Sequence, residues 1–151
     1  MRRRLEIARA LIGWPSIMLF DEPTLSLDPI SAEKVLNLII RARDIQHISS
    51  IYVTKKPYEI PCLATHRATV GPDRTVNIEE VSARLAAPRT SVMVPDAGRV
   101  VFMGSVSEFE ASSLPVVTRL TQADNGTTFS DFYTPDPWDK GRRPKETILG
   151  R

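Results

Sequence analysis

The sequence is poor in cysteine and contains no long apolar run. Its one cysteine, Cys62, excludes an internal disulfide and fits a reducing compartment. No stretch approaches the roughly 18 apolar residues of a membrane-spanning helix, and the first residues lack the apolar core of a signal peptide. A net charge of +2 is too small to indicate a nucleic-acid partner. With 42% hydrophobic and 25% charged residues, we expect an intracellular globular domain.

Alternating elements at the start of the chain predict an α/β fold. Residues 2–12 have the spacing of an amphipathic helix, and the apolar run 17–20 is typical of a strand buried on both faces of a parallel sheet. A second helix is predicted to follow, with Asp28 as its N-cap, and the β-branched segment 49–54 predicts a second strand. This order of elements indicates half of a doubly wound sheet.

Shorter elements are predicted after the second strand. They are a short helix near 57–65, an exposed strand at 75–81, two strands within 90–104, a helix from Ser105 to Ala111 and a short helix at 115–121. The turn at Asp96–Gly98 joins the two strands as a hairpin. Residues 122–151 are rich in Pro, Gly and charge, which predicts an extension without a core of its own.

Two adjacent carboxylates, Asp21 and Glu22, directly follow the first predicted strand. The carboxyl ends of parallel strands are where α/β sheets bind ligands. Asp21 offers the hard oxygen ligands that Mg²⁺ prefers, and Glu22 is suited to orient an attacking water or to accept its proton. The same pair also fits the start of a solvated loop, and the bare pattern does not decide between the two interpretations.

The residues around these carboxylates resemble the ATP-binding cassette (ABC) ATPases. "IMLFDE" (17–22) is similar to their Walker B motif, and "PTLSLDP" (23–29) is similar to the turn and D-loop that follow it. "MRRRLEIARALIGWPSI" (1–17) resembles the segment directly after the LSGG signature. The resemblance implies the C-terminal half of a P-loop NTPase domain of the ABC, RecA-like type. Mainly parallel strands, flanking helices, a C-terminal hairpin and a tail are then expected.

The resemblance also implies roles for these residues. Asp21 would hold Mg²⁺ through water, Glu22 would polarise the hydrolytic water, and Asp28 would transmit contacts across a dimer interface. ATP and Mg²⁺ are the implied cofactors. The implied partners are a second ATP-binding subunit and a transmembrane permease, which would hold the protein peripherally at the inner, cytoplasmic face of the cell membrane.

Two motifs of that family are absent from the sequence. There is no G-x-x-x-x-G-K-[ST] P-loop (Walker A) and no LSGG signature. Both are places where backbone N–H groups surround phosphate, so we expect the 151 residues alone to bind ATP poorly. We therefore expect a fragment of a longer protein, with 1–121 as the C-terminal part of the ATPase domain and 122–151 as an extension.

The sequence departs from the family at Lys55, where a histidine usually binds the γ-phosphate. An ammonium only donates hydrogen bonds, whereas neutral imidazole both donates and accepts. Lys55 is suited either to neutralise a γ-phosphate or to pair with Glu22. His66 lies too far beyond the strand to replace it and is predicted to be structural. Residues 69–89 are predicted to be an insertion, for which we expect a surface hairpin.

The leading functional hypothesis is an ATPase subunit that couples ATP hydrolysis to transport. The alternative is a degenerate cassette that acts as a non-catalytic structural or regulatory interaction module. A non-transport ABC ATPase is a third possibility, although it would be expected to carry coiled-coil inserts or a tandem cassette. "GSVSEFEASSLPVVTRL" (104–120) is similar to a C-terminal stretch of Mla- or Mce-type lipid-transfer ATPases, and a generic helix fits it equally well.

Overall fold

The computed structural model describes residues 2–81 and 90–122, and these form a mixed α/β structure. The helices are α1 (Arg2–Leu11), α2 (Pro29–Ile45), α3 (Glu59–Thr65), α4 (Val106–Glu110) and α5 (Pro115–Gln122). The strands are β1 (Ile17–Asp21), β2 (Ser49–Val53), β3 (His66–Val70), β4 (Val76–Glu80), β5 (Ser91–Asp96) and β6 (Arg99–Ser105). The predicted α/β class is confirmed.

The first two strands pair in parallel, as the order of elements predicted. Ile17 lies beside Ser49 and Asp21 beside Val53, with α2 forming the crossover between the strands. The other four described strands pair antiparallel, β3 with β4 and β5 with β6. The expectation of mainly parallel strands therefore holds for β1 and β2 and does not extend to the two hairpins.

Helix α2 begins as its sequence predicts and organises the core. Asp28 is its N-cap, and the Asp28 side chain accepts a hydrogen bond of 3.0 Å from the Ser31 backbone N–H. Two stripes of its apolar residues are buried against different neighbours. One stripe packs with β1 and α1 and consists of Val35, Ile39 and Ala42. The other packs with α3 and the β3–β4 hairpin and consists of Leu36 and Ile40.

The prediction that β1 is buried on both faces is wrong. Met18 and Phe20 are buried, whereas Ile17 is 62% and Leu19 73% exposed. Ile51, the neighbour of Leu19 on β2, is also exposed. The reason is that the helices of the described segments pack on one face of the β1–β2 pair only, so burial alternates along the strand.

Two hairpins complete the described structure. β3 and β4 are joined by a turn in which the Gly71 N–H donates to the Thr75 carbonyl at 2.8 Å. A surface hairpin was expected at 69–89, whereas the observed one begins earlier, at His66, and packs Ala68 into the core beside α2. That 69–89 is an insertion stays a prediction. Residues 82–89 of the predicted insertion and 123–151 of the predicted extension lie outside the described residues.

The β5–β6 hairpin turns where the sequence predicts. Ala97 and Gly98 both have positive φ, of 46° and 75°, as a two-residue hairpin turn requires. Ser105 then caps α4 through a capping box with Glu108, and α5 covers the same side. A small core joins these elements and consists of Val92, Val94, Phe109 and Val117.

None of the helices in the described ranges is long and apolar enough to cross a membrane.

Candidate functional site

The site lies at the carboxyl ends of β1 and β2, where the chain leaves the sheet. Asp21 is the last residue of β1, and the Glu22 N–H continues the ladder by donating to the Val53 carbonyl at 2.9 Å. Glu22 then takes a positive φ of 42°. Its carbonyl accepts from the Leu25 N–H at 3.0 Å, which closes a tight turn. A non-glycine residue in this conformation is unfavourable by roughly 1–3 kcal/mol, so the surrounding structure must hold the turn in place.

Glu22 and Lys55 form an ion pair across the two strand ends. The Lys55 Nζ lies 2.8 Å from the Glu22 Oε1. The Glu22 side chain is 19% exposed, whereas the Lys55 side chain is 83% exposed. The hydrogen bond to Glu22 and the charges of Glu22 and Asp21 raise the pKa of Lys55 above its ordinary value. Lys55 is therefore an ammonium at neutral pH that pairs with Glu22, one of the two arrangements left open by the sequence.

Asp21 carries the kind of oxygen ligand that Mg²⁺ prefers. Asp21 is exposed at the end of β1, one position before Glu22. Mg²⁺ usually takes one or two carboxylates from the protein and completes its shell with water and phosphate oxygens. Within residues 2–81 and 90–122 no group of three or more His, Cys, Asp or Glu side chains could hold a metal ion. A single carboxylate such as Asp21 is compatible with a Mg²⁺ site that water and phosphate oxygens complete.

Asp28 lies apart from this pair, at the start of α2. It is exposed, and hydrogen bonds from Ser31 lower its pKa. Capping a helix is sufficient to account for an aspartate at this position. Its predicted role at a dimer interface stays a prediction.

A buried carboxylate behind the pair was missed by the sequence analysis. Glu59, the first residue of α3, is fully buried. Its Oε1 accepts a hydrogen bond from the Thr24 hydroxyl at 2.5 Å, and its Oε2 accepts one from the Tyr52 hydroxyl and one from the Thr54 hydroxyl, each at 2.7 Å. The Lys56 Nζ is 3.9 Å from Oε1. A buried charge is tolerated only when it is paired and hydrogen-bonded, and this carboxylate has both: each oxygen accepts hydrogen bonds, and Lys56 lies beside Oε1.

No local signal in the sequence identifies this network. A glutamate in the first turn of a helix ordinarily faces water, where it interacts well with the helix dipole. Thr24 is separated from Glu59 by 35 positions, so only the fold brings them together. Burial and the Glu59 charge raise the pKa of Tyr52 far above its usual range, which keeps the Tyr52 hydroxyl protonated as a donor.

His66 and Cys62 lie outside this site. Burial lowers the pKa of His66 and raises that of Cys62, so both side chains are neutral at neutral pH. The His66 backbone carbonyl accepts a hydrogen bond of 2.6 Å from the Arg43 guanidinium, at the start of β3. This setting is consistent with the predicted structural role of His66.

Comparison with known proteins gives relatives but no family model and no solved structure that matches. The molybdenum import ATP-binding protein ModC of Bordetella pertussis is 32% identical over 109 residues, which are 72% of this chain and 30% of ModC. The peptide transport system ATP-binding protein SapF of Salmonella typhimurium is 30% identical over 141 residues, 93% of this chain and 42% of SapF.

A third relative is named as both an ATP-binding protein and a permease. The macrolide export ATP-binding/permease protein MacB of Syntrophobacter fumaroxidans is 30% identical over 124 residues, which are 82% of this chain and 15% of MacB. The chain thus spans between 15% and 42% of the length of these three curated relatives.

Proposed function

We propose that this chain, which belongs to the family of ABC transporter ATP-binding subunits, contributes the residues that hydrolyse ATP to drive transport. The observation that carries the proposal is the juxtaposition of Asp21, Glu22 and Lys55 at the carboxyl ends of two adjacent parallel strands. This is the edge at which α/β sheets bind ligands. The relatives' names cover molybdenum import, peptide transport and macrolide export, so the proposal extends to ATP-driven transport and not to one cargo.

Glu22 is proposed to orient the attacking water and to accept its proton. The side chain is partly exposed, so water can reach the carboxylate, while Lys55 pairs with one of its oxygens. Lys55 is proposed to exchange between Glu22 and the γ-phosphate, because its long and exposed side chain is free to move. This exchange would release Glu22 to act on water when ATP is present.

Asp21 is proposed to hold Mg²⁺, which neutralises charge on the transferred phosphoryl group when bound. The residues that surround the phosphates are proposed to come from outside these 151 residues, because the sequence has neither a P-loop nor an LSGG motif. A second ATP-binding subunit, with Asp28 at the shared interface, and a transmembrane permease at the cytoplasmic face of the membrane complete the proposed assembly.

The test is Glu22→Gln in the native transporter complex that contains this chain. The amide keeps the shape of the side chain but is a poor proton acceptor, so ATP binding should persist. We expect turnover to fall at least about ten-fold, or about 1.4 kcal/mol in the barrier. ATPase rate and nucleotide affinity are measured together. Glu110→Gln, an exposed carboxylate on α4, is the matched control and should leave turnover unchanged. Unchanged turnover in Glu22→Gln would remove Glu22 from the mechanism.

One observation favours a second candidate, a non-catalytic interaction module. Lys55 already occupies Oε1 of Glu22, which leaves that carboxylate neutralised by an ion pair. In this case the native complex would bind ATP without hydrolysing it at the site formed by this chain. ATP turnover of the wild-type complex, measured in the experiment above, distinguishes the two candidates: turnover supports the ATPase, and its absence supports the interaction module.

A further inference from the structure

The buried Glu59 carboxylate is connected to both halves of the proposed catalytic pair. Thr24, which donates to its Oε1, is two residues after Glu22, and Thr54, which donates to its Oε2, directly precedes Lys55. One side chain therefore connects the turn after β1 with the loop after β2. We propose that Glu59 is a positioning residue that holds the backbones of Glu22 and Lys55 in the geometry of their ion pair.

The pair needs such a support because its own interaction is weak. An exposed lysine paired with a carboxylate is worth little, since ordering the long side chain offsets most of the attraction. The last bond of the β1–β2 ladder joins the Glu22 N–H to the Val53 carbonyl, and beyond it Glu22 turns away with a positive φ. Beyond the ladder, the hydrogen bonds to Glu59 connect the turn after β1 with the loop after β2.

Lys56 reinforces the same connection. Its Nζ donates to the Thr24 carbonyl at 3.1 Å and lies 3.9 Å from the Glu59 Oε1. Its backbone N–H donates to the Thr54 hydroxyl at 2.9 Å. Each threonine is thus held both by Glu59 and by Lys56, which restricts the two loops in more than one direction.

The inference rests on the proposed function and adds a prediction to it. Thr24 and Thr54 lie beside the pair, whereas Tyr52 donates to the same carboxylate from within β2. Removing a threonine hydroxyl should therefore disturb the pair, and removing the tyrosine hydroxyl should not. If Glu59 were merely structural, removing any one of the three hydroxyls would change stability alone, and the three variants would not differ in kcat.

The experiment compares Thr24→Val, Thr54→Val and Tyr52→Phe in the native transporter complex, with Tyr52→Phe as the control. Each substitution nearly preserves the shape of the side chain and removes one hydroxyl. We expect the two threonine variants to lower kcat at saturating ATP by about ten-fold or more, because small misplacements of reacting groups are costly. Tyr52→Phe should retain kcat within about two-fold. Thermal unfolding of each complex shows whether the losses of stability are comparable.

A second measurement does not depend on activity. The pH dependence of amine labelling at Lys55, followed by mass spectrometry without ATP, reports the pKa of this lysine. The midpoint should lie above that of an ordinary lysine in the wild type and in Tyr52→Phe. It should fall toward the ordinary value in the two threonine variants, since their Glu22–Lys55 pair is loosened.

The outcomes separate this inference from the proposed function. If Glu22→Gln leaves turnover unchanged while the labelling midpoints shift as expected, the proposed function fails and the positioning role stands. If Glu22→Gln slows turnover while all three hydroxyl variants behave alike in kcat and in labelling, the positioning role is refuted. If a threonine variant does not assemble, the other threonine variant decides the comparison.

Discussion

Two glutamates of this chain have opposite environments, and the environment determines what each can do. Glu22 is partly exposed and is paired with one exposed ammonium, that of Lys55. Glu59 is fully buried and accepts three hydroxyl hydrogen bonds. The first carboxylate is suited to exchanging its partner for a ligand, because an exposed ion pair is weak. The second cannot lose a donor without leaving buried charge unsatisfied, which makes it suited to fixing positions.

The role of Lys55, which follows β2, can be tested directly by substitution. Replacing Lys55 with histidine restores a side chain that both donates and accepts hydrogen bonds. If lysine is an imperfect substitute, Lys55→His should raise ATP turnover of the native complex several-fold. Lys34→His, an exposed lysine on α2, is the control and should have no effect. A lower rate in Lys55→His would instead assign Lys55 a role that imidazole cannot fill.

The attachment of α2 to β3 depends on one aspartate. Asp44, near the end of α2, accepts two hydrogen bonds of 2.8 Å from Arg43 and one of 2.9 Å from the Ala68 N–H. The Arg67 guanidinium lies 3.4 Å away. Burial alone would raise the pKa of Asp44, but the hydrogen bonds from Arg43 and Ala68 outweigh it and lower the pKa below 3.8. The ionised side chain therefore stabilises the junction of these elements.

We expect Asp44→Asn to lower the free energy of unfolding by roughly 2–4 kcal/mol near neutral pH, because charge-assisted hydrogen bonds are lost. Since the folded pKa is below the unfolded value of 3.8, the wild-type contribution is present above that pH and is lost as the pH falls through the folded pKa. The difference between variant and wild type should thus shrink in acid. Denaturant titrations at several pH values measure it, with the exposed Asp96→Asn as control. A pH-independent difference would exclude the ionic contribution.

Over the whole molecule, the proposed site would supply only one side of a nucleotide complex. Asp21, Glu22 and Lys55 provide two carboxylates and one ammonium, whereas phosphate binding in proteins draws on backbone N–H groups of glycine-rich loops and helix N-termini. The sequence contains neither phosphate-binding motif of its family. Affinity for ATP should therefore depend on residues outside this chain.

The purified 151-residue chain is accordingly expected to bind ATP with a Kd weaker than about 1 mM, even with Mg²⁺ present. Isothermal titration calorimetry measures this affinity, and the native transporter complex serves as the positive control. Circular dichroism of the same sample establishes whether the chain is folded. Micromolar binding by the folded chain would mean that it contains a phosphate site that its motifs do not reveal.

The sequence alone determined the local structure and the place of the carboxylates. Apolar spacing predicted α1 and α2, turn residues predicted the Asp96–Gly98 hairpin, and Asp28 and Ser105 marked helix starts. These features depend on residues only a few positions apart, so they can be inferred from a short window. The parallel pairing of β1 and β2 followed from their order along the chain.

The tertiary structure alone decided which polar groups meet and which strand faces are covered. Glu59 connects Thr54, five positions before it, with Thr24, which is 35 positions away along the chain. The pairing of Lys55 with Glu22 depends on the register of two strands. The exposed face of β1 likewise depends on where the helices pack, since an apolar strand has the same composition whether it is covered on one face or two. Long-range contacts follow from packing, and no short window of sequence contains them.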